Sequence, residues 1–378
     1  MNLKNTAIYI HIPFCDHKCI YCDFYSLISY ENIEEYLKAL LLEIKYFSKK
    51  YNDGRIYKTI FFGGGTPSFM RPKYIGDIIN ALKNNFNVSE DAEITLETNP
   101  GTVSNQKLRD FRSVGINRLS VGIQSFDDDE LKFLTRIHNK ETAIKTVEDA
   151  STVGFENISV DLIFSLPKQT LQTWKENLEI VTSLPIKHIS AYSLILEKGT
   201  ILNKMVLDGK VKMAGDNHDA ELYECTMDSL QEQGFEQYEV SNFAKKNYEC
   251  LHNKYYWQYE DYLSFGTAAH SFVDGKRWWN FSSLKKYVGE VKQNGNAIRG
   301  NEILTSNQML DEYIMLGLRS TGLNKKMIKN NFLKKWYFEN EEKIKSFINN
   351  GYLLESRSTI KCTKKGYLVC DEIISKLL

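Results

Sequence analysis

Hydrophobic and polar positions in the first half of the chain repeat one pattern: a short apolar, β-branched run, a loop, then apolar positions at the helical period. Strands are expected at Ala7–His11, Lys58–Phe62, Glu93–Glu97, Arg118–Gly122, Ile158–Phe164 and His188–Leu194. Helices are expected between them at about Asn32–Lys50, Pro72–Asn85, Ser104–Val114, Lys140–Val153 and Leu171–Ser183. Ser104 stands where an N-cap oxygen is wanted, and Gly115 and Gly154 stand just past helical runs, where a left-handed residue closes the helix. Repeated βα units make the strands parallel, in a doubly wound open sheet or a barrel. In both, ligands gather at the carboxyl ends of the strands.

Beyond about Glu197 the alternation stops. The chain becomes aromatic and polar, with Tyr238, Tyr255, Tyr256, Trp257, Tyr259, Tyr262, Trp278 and Trp279, and is read as an accessory region covering the barrel mouth. From about Glu302, helices lead into a small hairpin around Thr359–Thr363 and a last amphipathic helix, an order that resembles a winged-helix module. Three domains are therefore expected: 1–197, 198–300 and 301–378. A winged helix can bind DNA. Here Lys325, Lys326, Lys329, Lys334 and Lys335 alternate with apolar residues and read as a solvated helix face, so no nucleic-acid partner is expected.

Composition changes the picture little. Lys and Arg number 48 against 48 Asp and Glu, so no global charge draws the chain toward nucleic acid or anionic lipid. No apolar run reaches the length of a membrane span, and the first residues lack a secretory apolar segment, so a cytoplasmic, non-spanning protein is expected. Seven cysteines, three of them within eight residues, do not suit a disulfide framework. Cys225, Cys250, Cys362 and Cys370 are scattered and read as reduced thiols packed like small apolar groups.

The chemistry concentrates at the expected strand ends. Cys15, Cys19 and Cys22 follow the first strand in a Cys-x-x-x-Cys-x-x-Cys loop that can wrap three thiolates around a cluster. A four-iron cubane normally takes four cysteines, so three leave one iron open. The amine and carboxylate of S-adenosylmethionine can chelate that iron and hold the sulfonium beside it, so that one electron cleaves its carbon–sulfur bond. A Cys₃His zinc site completed by His11 or His17 is the alternative. Gly63, Gly64 and Gly65 after the second strand favour the first reading, because glycines let the backbone approach a ligand closely.

With these residues in hand, the chain is identified as resembling the radical S-adenosylmethionine superfamily, in the branch that contains oxygen-independent coproporphyrinogen III oxidases and haem chaperones. The resemblance runs nearly end to end. It is carried by Tyr-Ile-His-Ile-Pro-Phe-Cys at 9–15, Gly-Gly-Gly-Thr-Pro at 63–67, Glu-Thr-Asn-Pro at 97–100, Ser-Val-Gly-Ile-Gln-Ser-Phe at 120–126 and Asp-Leu-Ile-Phe-Ser-Leu-Pro at 161–167. It implies an α/β fold, a partial (βα)6 barrel of the TIM type, with the accessory region and the winged-helix-like domain after it. It also implies a 4Fe-4S cluster and S-adenosylmethionine contacted by Tyr9, Tyr21, Gly64, Gly65, Thr66, Glu97, Gln124, Arg136 and Asp161.

Two features choose within the branch. The oxidases carry a further cysteine two residues after the triplet; here that residue is Phe24, as in the haem chaperones. The stretch His252-Asn253-Lys254-Tyr255-Tyr256-Trp257 resembles the haem-associated segment of the chaperones, which makes His252 the expected haem ligand and His270 the second candidate. A histidine bonded inside an aromatic core is the plainer alternative for His252. The resemblance thus implies a haem chaperone serving haem-requiring acceptors, membrane-bound respiratory enzymes among them, with a homodimer and peripheral membrane contact. A coproporphyrinogen III oxidase and a radical haem-degrading methyltransferase are the rivals.

Overall fold

The computed structural model describes residues 4–28, 31–329 and 333–378. Six parallel strands form the barrel wall in chain order: β1 (Asn5–Ile12), β2 (Ile56–Gly64), β3 (Val88–Thr98), β4 (Arg118–Gln124), β5 (Asn157–Phe164) and β6 (His188–Ser193). Outside them lie α1 (Ile33–Tyr51), α2 (Pro72–Asn85), α3 (Asn105–Ser113), the short α4 (Asp128–Phe133), α5 (Lys140–Thr152) and α6 (Leu171–Ser183). Each expected strand and helix is present, with ends moved by a few residues. Ser104 caps α3 by accepting from the Lys107 N–H, and Gly115 and Gly154 hold φ of +108° and +96° just past their helices. Helix α4, too short to show a period, escapes the sequence reading.

Alternate strand residues divide the wall into two environments. Ile8, Ile10 and Ile12 of β1, like Ile60 and Phe62 of β2, face the helices and form the main apolar core. The inward positions are polar to an unusual degree: Glu93, Thr95 and Glu97 of β3, Arg118 and Ser120 of β4, Ser159 and Asp161 of β5, His188 and Ser190 of β6. An interior of this kind must satisfy its own charges or hold a ligand.

The stretch beyond β6 departs from the expected cover over the mouth. Its beginning, with Leu194, Ile195 and α7 (Ile201–Leu207), borders that end, the Leu202 N–H donating to the Ile20 carbonyl; elsewhere it reaches that end at its margin, through Asp219, which accepts from Ser165 and Ser193, and Leu284, whose N–H donates to Tyr25. After α8 (Asp216–Glu232), the short strands β7 (Glu236–Gln237) and β8 (Asn242–Ala244) extend the sheet past β6. Helix α9 (Leu251–Trp257) then lies across the amino ends of β1 and β2, the opposite end of the barrel. Strands β9 (Tyr262–Gly266), β10 (His270–Val273), β11 (Lys276–Asn280) and β12 (Ile298–Ile303) continue the sheet on the far side of β1, with β9 parallel to it. Glu43 of α1, fully buried, ties this extension down: its carboxylate accepts from the Gly266 N–H, the Asn280 amide and the hydroxyl of Tyr287 in α10 (Leu284–Asn294). Burial raises its pKa to about 7, although those three donors pull the other way.

The last segment has a core of its own around Ile314, Leu318, Trp336, Ile360 and Ile373. Its order is α11 (Ser306–Leu318), β13 (Leu323–Asn324), α12 (Lys325–Lys329), α13 (Lys334–Asn349), β14 (Leu353–Glu355), β15 (Thr359–Cys362), α14 (Lys364–Tyr367) and α15 (Cys370–Leu377), the succession of a winged helix. Lys325 pairs with Glu355 and Lys335 with Glu339, while the Lys329 side chain lies outside the described residues. Among the described residues, no helix is long and apolar enough to cross a membrane.

Candidate cofactor site

A cavity of about 420 Å³ opens at the carboxyl end of the barrel. The cysteine loop forms one side of it, and the ends of β2 to β6 supply the rest. Both ends of the loop are pinned: the Leu27 N–H donates to the Pro13 carbonyl, and the Cys15 N–H to the Leu27 carbonyl. Cys15, Cys19 and Cys22 all face the cavity. Burial raises the thiol pKa of Cys15, and that of Cys22 to about 11. Among the described residues, no three Cys, His, Asp or Glu side chains converge on a point the size of a single ion. His11, one candidate to complete a zinc site, has both ring nitrogens engaged, Nδ1 with the Tyr9 hydroxyl at 3.3 Å and Nε2 with the Tyr25 carbonyl at 3.1 Å.

One chain of hydrogen bonds joins two of the cysteines across the cavity wall. Cys15 Sγ meets Thr66 Oγ1 at 3.3 Å, and the Asn99 amide donates to the same oxygen at 2.9 Å. Arg136 Nη2 donates to Asn99 Oδ1 at 2.8 Å and to the Gly122 carbonyl at 2.5 Å, and Arg136 Nη1 reaches Cys19 Sγ at 3.5 Å. The guanidinium sits in neither a surface ion pair nor a free anion clamp; it braces the cysteine loop, with only its Nε unpartnered. Asn99 was not among the expected site residues. Its signal lay in the quoted Glu-Thr-Asn-Pro stretch, one residue short of the proline.

The floor of the cavity is acidic. Glu97 accepts from the Gly64 N–H at 3.2 Å, and Asp161 accepts from the Ser120 hydroxyl at 3.2 and 3.1 Å. Burial, then the charge of Asp161, pushes the Glu97 pKa up to about 8, and burial likewise raises that of Asp161. Two carboxyls held against their own ionisation fit a cationic guest, whose positive charge would restore the ionised state. Glycines in the wall let its own side chains close in tightly. Gly64 adopts φ of +110°, and a Cβ there would lie 2.7 Å from the His11 ring; a Cβ at Gly122 would lie 2.9 Å from Asn99 Oδ1. Gln124, also on the cavity wall, holds a left-handed φ of +74°, a strained state for a residue with a side chain.

The expected site residues thus fall into two groups. Tyr21, Gly64, Gly65, Thr66, Glu97, Gln124, Arg136 and Asp161 line the cavity with the three cysteines. Tyr9 and His252 do not. Tyr9 lies deeper, its ring stacked on Phe61 at 6.2 Å and its hydroxyl on His11. His252 lies at the amino end of the barrel and is 1% exposed, with Nδ1 bonded to Thr59 Oγ1 at 2.7 Å and Nε2 to the Tyr256 hydroxyl at 2.9 Å. Its N–H and that of Leu251 donate to Glu93. Binding an iron through His252 requires breaking one of these hydrogen bonds and withdrawing the ring from the barrel, because a buried imidazole is stable only with its nitrogens satisfied. His270 is exposed, its ring stacked on Trp279 at 5.9 Å.

Comparison with known proteins agrees with this geometry. Residues 9–181 match the radical SAM superfamily. The solved structure of coproporphyrinogen III oxidase (HemN) from Escherichia coli, a radical SAM enzyme, superposes with a TM-score of 0.85 over 99% of this chain and 90% of that one; at 23% identity this likeness shows the fold. The haem chaperone HemW of Bacillus subtilis is 35% identical over 98% of this chain and 99% of its own length. The mitochondrial radical S-adenosyl methionine domain-containing protein 1 of Danio rerio is 34% identical over 98% of this chain and 86% of its own. Similarity of that level across whole chains, on a barrel whose cysteine loop, glycine cradle and acidic floor meet in one cavity, places this chain in the HemW family of the radical SAM superfamily.

Proposed function

We propose that this chain is a haem chaperone, which binds haem and passes it to haem-requiring proteins while carrying a 4Fe-4S cluster on Cys15, Cys19 and Cys22 and S-adenosylmethionine beside it. The observation that carries the reading within the family is Phe24. It stands at the cavity mouth with 61% of its surface exposed, where the porphyrinogen-decarboxylating relatives have a thiol. An apolar ring there offers contact and no redox or acid–base chemistry.

The donor set suits the cofactors. Three thiols from one loop line one cavity, the number that leaves one iron of a four-iron cluster open. When bound, the cluster supplies one electron and an open iron for the methionyl end of S-adenosylmethionine. The chain does the rest. Thr66, Asn99 and Arg136 hold the loop of Cys15 and Cys19 in place, Gly64 and Gly122 let His11 and Asn99 pack against the cavity wall, and Glu97 and Asp161 face the ligand's ammonium and sulfonium charges. Acceptors are haem-requiring proteins, respiratory enzymes at the membrane among them, and a homodimer that depends on the cluster is the expected assembly.

Anaerobically reconstituted protein should take up haem with a Soret band and lose it to an apo-haem protein mixed with it. Absence of haem binding would sink the reading. Release of carbon dioxide from coproporphyrinogen III would establish an oxidase in its place, and ring opening of haem in the presence of reductant and S-adenosylmethionine a haem-degrading enzyme.

A further inference from the structure

The seven histidines can be sorted by whether a ring nitrogen is free to meet an iron. His11, His188 and His252 are buried with both ring nitrogens bonded. His138 has Nε2 on the Ile123 carbonyl and an unpartnered Nδ1, but the ring is buried and closed to an incoming haem. His218 bonds Gln169 and Glu221. His17 and His270 are exposed and make no hydrogen bond among the described residues.

Their surroundings separate these two. His270 has the face of Trp279 beside it, and the one widely exposed apolar side chain described on the strands around it, Ile303, stands at the other end of β12, opposite Lys276. His17 lies on the rim of the cluster cavity, and that rim is apolar: Phe24 is 61% exposed, Ile195 68% and Tyr192 42%, with Leu194 behind them. Exposed apolar groups collected around a polar cavity mark a binding face for a flat apolar ligand. Lys18, beside His17 on the same rim, supplies a cation for a carboxylate group.

We infer that haem seats over the mouth of the cluster cavity, its macrocycle on Phe24, Tyr192 and Ile195 and its iron on His17. This assignment rests on the haem-chaperone reading and gives that reading a place. It also makes the haem a cover. A macrocycle on this rim closes the solvent path to the cysteine loop below, so haem and the cluster with its S-adenosylmethionine share one chamber, and each alters the other's access and affinity.

The test uses the full chain, reconstituted with its cluster and titrated with haem. His17→Ala should move the Soret maximum and weaken binding by about tenfold or more, as loss of a metal ligand does. Ile195→Asp, which puts a charge on the platform and leaves the ligand in place, should weaken binding and leave the Soret position of the remaining complex unchanged. His270→Ala should bind as the wild type does. Haem-loaded protein should also lose its cluster absorbance more slowly in air than haem-free protein. Wild-type behaviour in both His17→Ala and Ile195→Asp would overturn the inference and leave the chaperone reading intact; failure of the wild-type chain to bind haem would remove the chaperone reading itself. If His17→Ala also lowers the iron and sulfide content, Ile195→Asp decides.

Discussion

The two ends of the barrel are built from the same strands and the same kinds of inward side chain, yet one is closed and the other open. At the amino end, α9 acts as a plug. Glu93 lies 3.9 Å from Arg118 and takes two helix N–H groups, His252 bonds Thr59 and Tyr256, and His188 bonds Ser159 and Tyr238. At the carboxyl end, Glu97, Asp161 and the three cysteines line a cavity with Arg136 as the cation in its wall, burial holds both carboxyls above their ordinary pKa, and the rim is apolar. Buried polar groups packed against one another hold a fold together, whereas ionisable groups gathered around a cavity, with perturbed pKa values, mark a place for a ligand.

The sharpest test of the open end is Cys19→Ala. It should abolish the broad charge-transfer absorbance of the reconstituted protein and lower its iron content to background, with the far-ultraviolet circular dichroism unchanged. A surviving band would contradict the ligand assignment.

For the closed end, Glu93→Ala leaves the Arg118 charge buried and strips the start of α9 of its acceptor. Breaking a buried pair in this way costs about 3–5 kcal/mol, read from denaturant unfolding. A loss below about 1 kcal/mol, the range of an exposed pair, would mean that the plug is dispensable.

The two ends should also respond to pH in opposite senses. Burial pushes the Glu97 pKa up to about 8, so the ligand-free fold holds a proton that the unfolded chain releases near 4.5; its stabilising contribution is whole below about 4.5 and is lost as pH rises toward 8. Burial pushes His252 down to about 3, so its contribution is whole above about 6.5 and is lost as pH falls toward 3. Glu97→Gln should therefore flatten the alkaline limb of the stability profile and His252→Gln the acid limb, each by on the order of a few kcal/mol across its window. Identical profiles in both variants would erase the distinction.

The smallest expected effect on stability is at the rim. Phe24→Ala removes an exposed ring and should change the unfolding free energy by no more than about 0.5 kcal/mol, while weakening haem binding.

The βα repeat, the caps at Ser104, Gly115 and Gly154, and the cysteine and glycine loops were legible in the sequence because each depends on neighbours within a few residues. Periodicity, capping and loop spacing are local physics. The gathering of Cys15, Gly64, Glu97, Gln124 and Asp161 at one end followed from a single topological rule about parallel strands. What the sequence left open was which end of the barrel a segment reaches. His252 and its aromatic neighbours carry the same residue types that would suit a haem pocket, and only the packing of α9 under β1 and β2 turns them into a plug. Glu43, a charge on an amphipathic helix, gives no hint in sequence that β9, β11 and α10 will bury it. Asn99 and Arg136, 37 residues apart, become one bridge between cysteines only when β3 and the segment after β4 stand side by side. The sequence by itself determined the elements and the kinds of chemistry; tertiary structure decided which of those groups are satisfied and which are left facing a cavity, because partner and solvent are settled by contacts far apart in the chain.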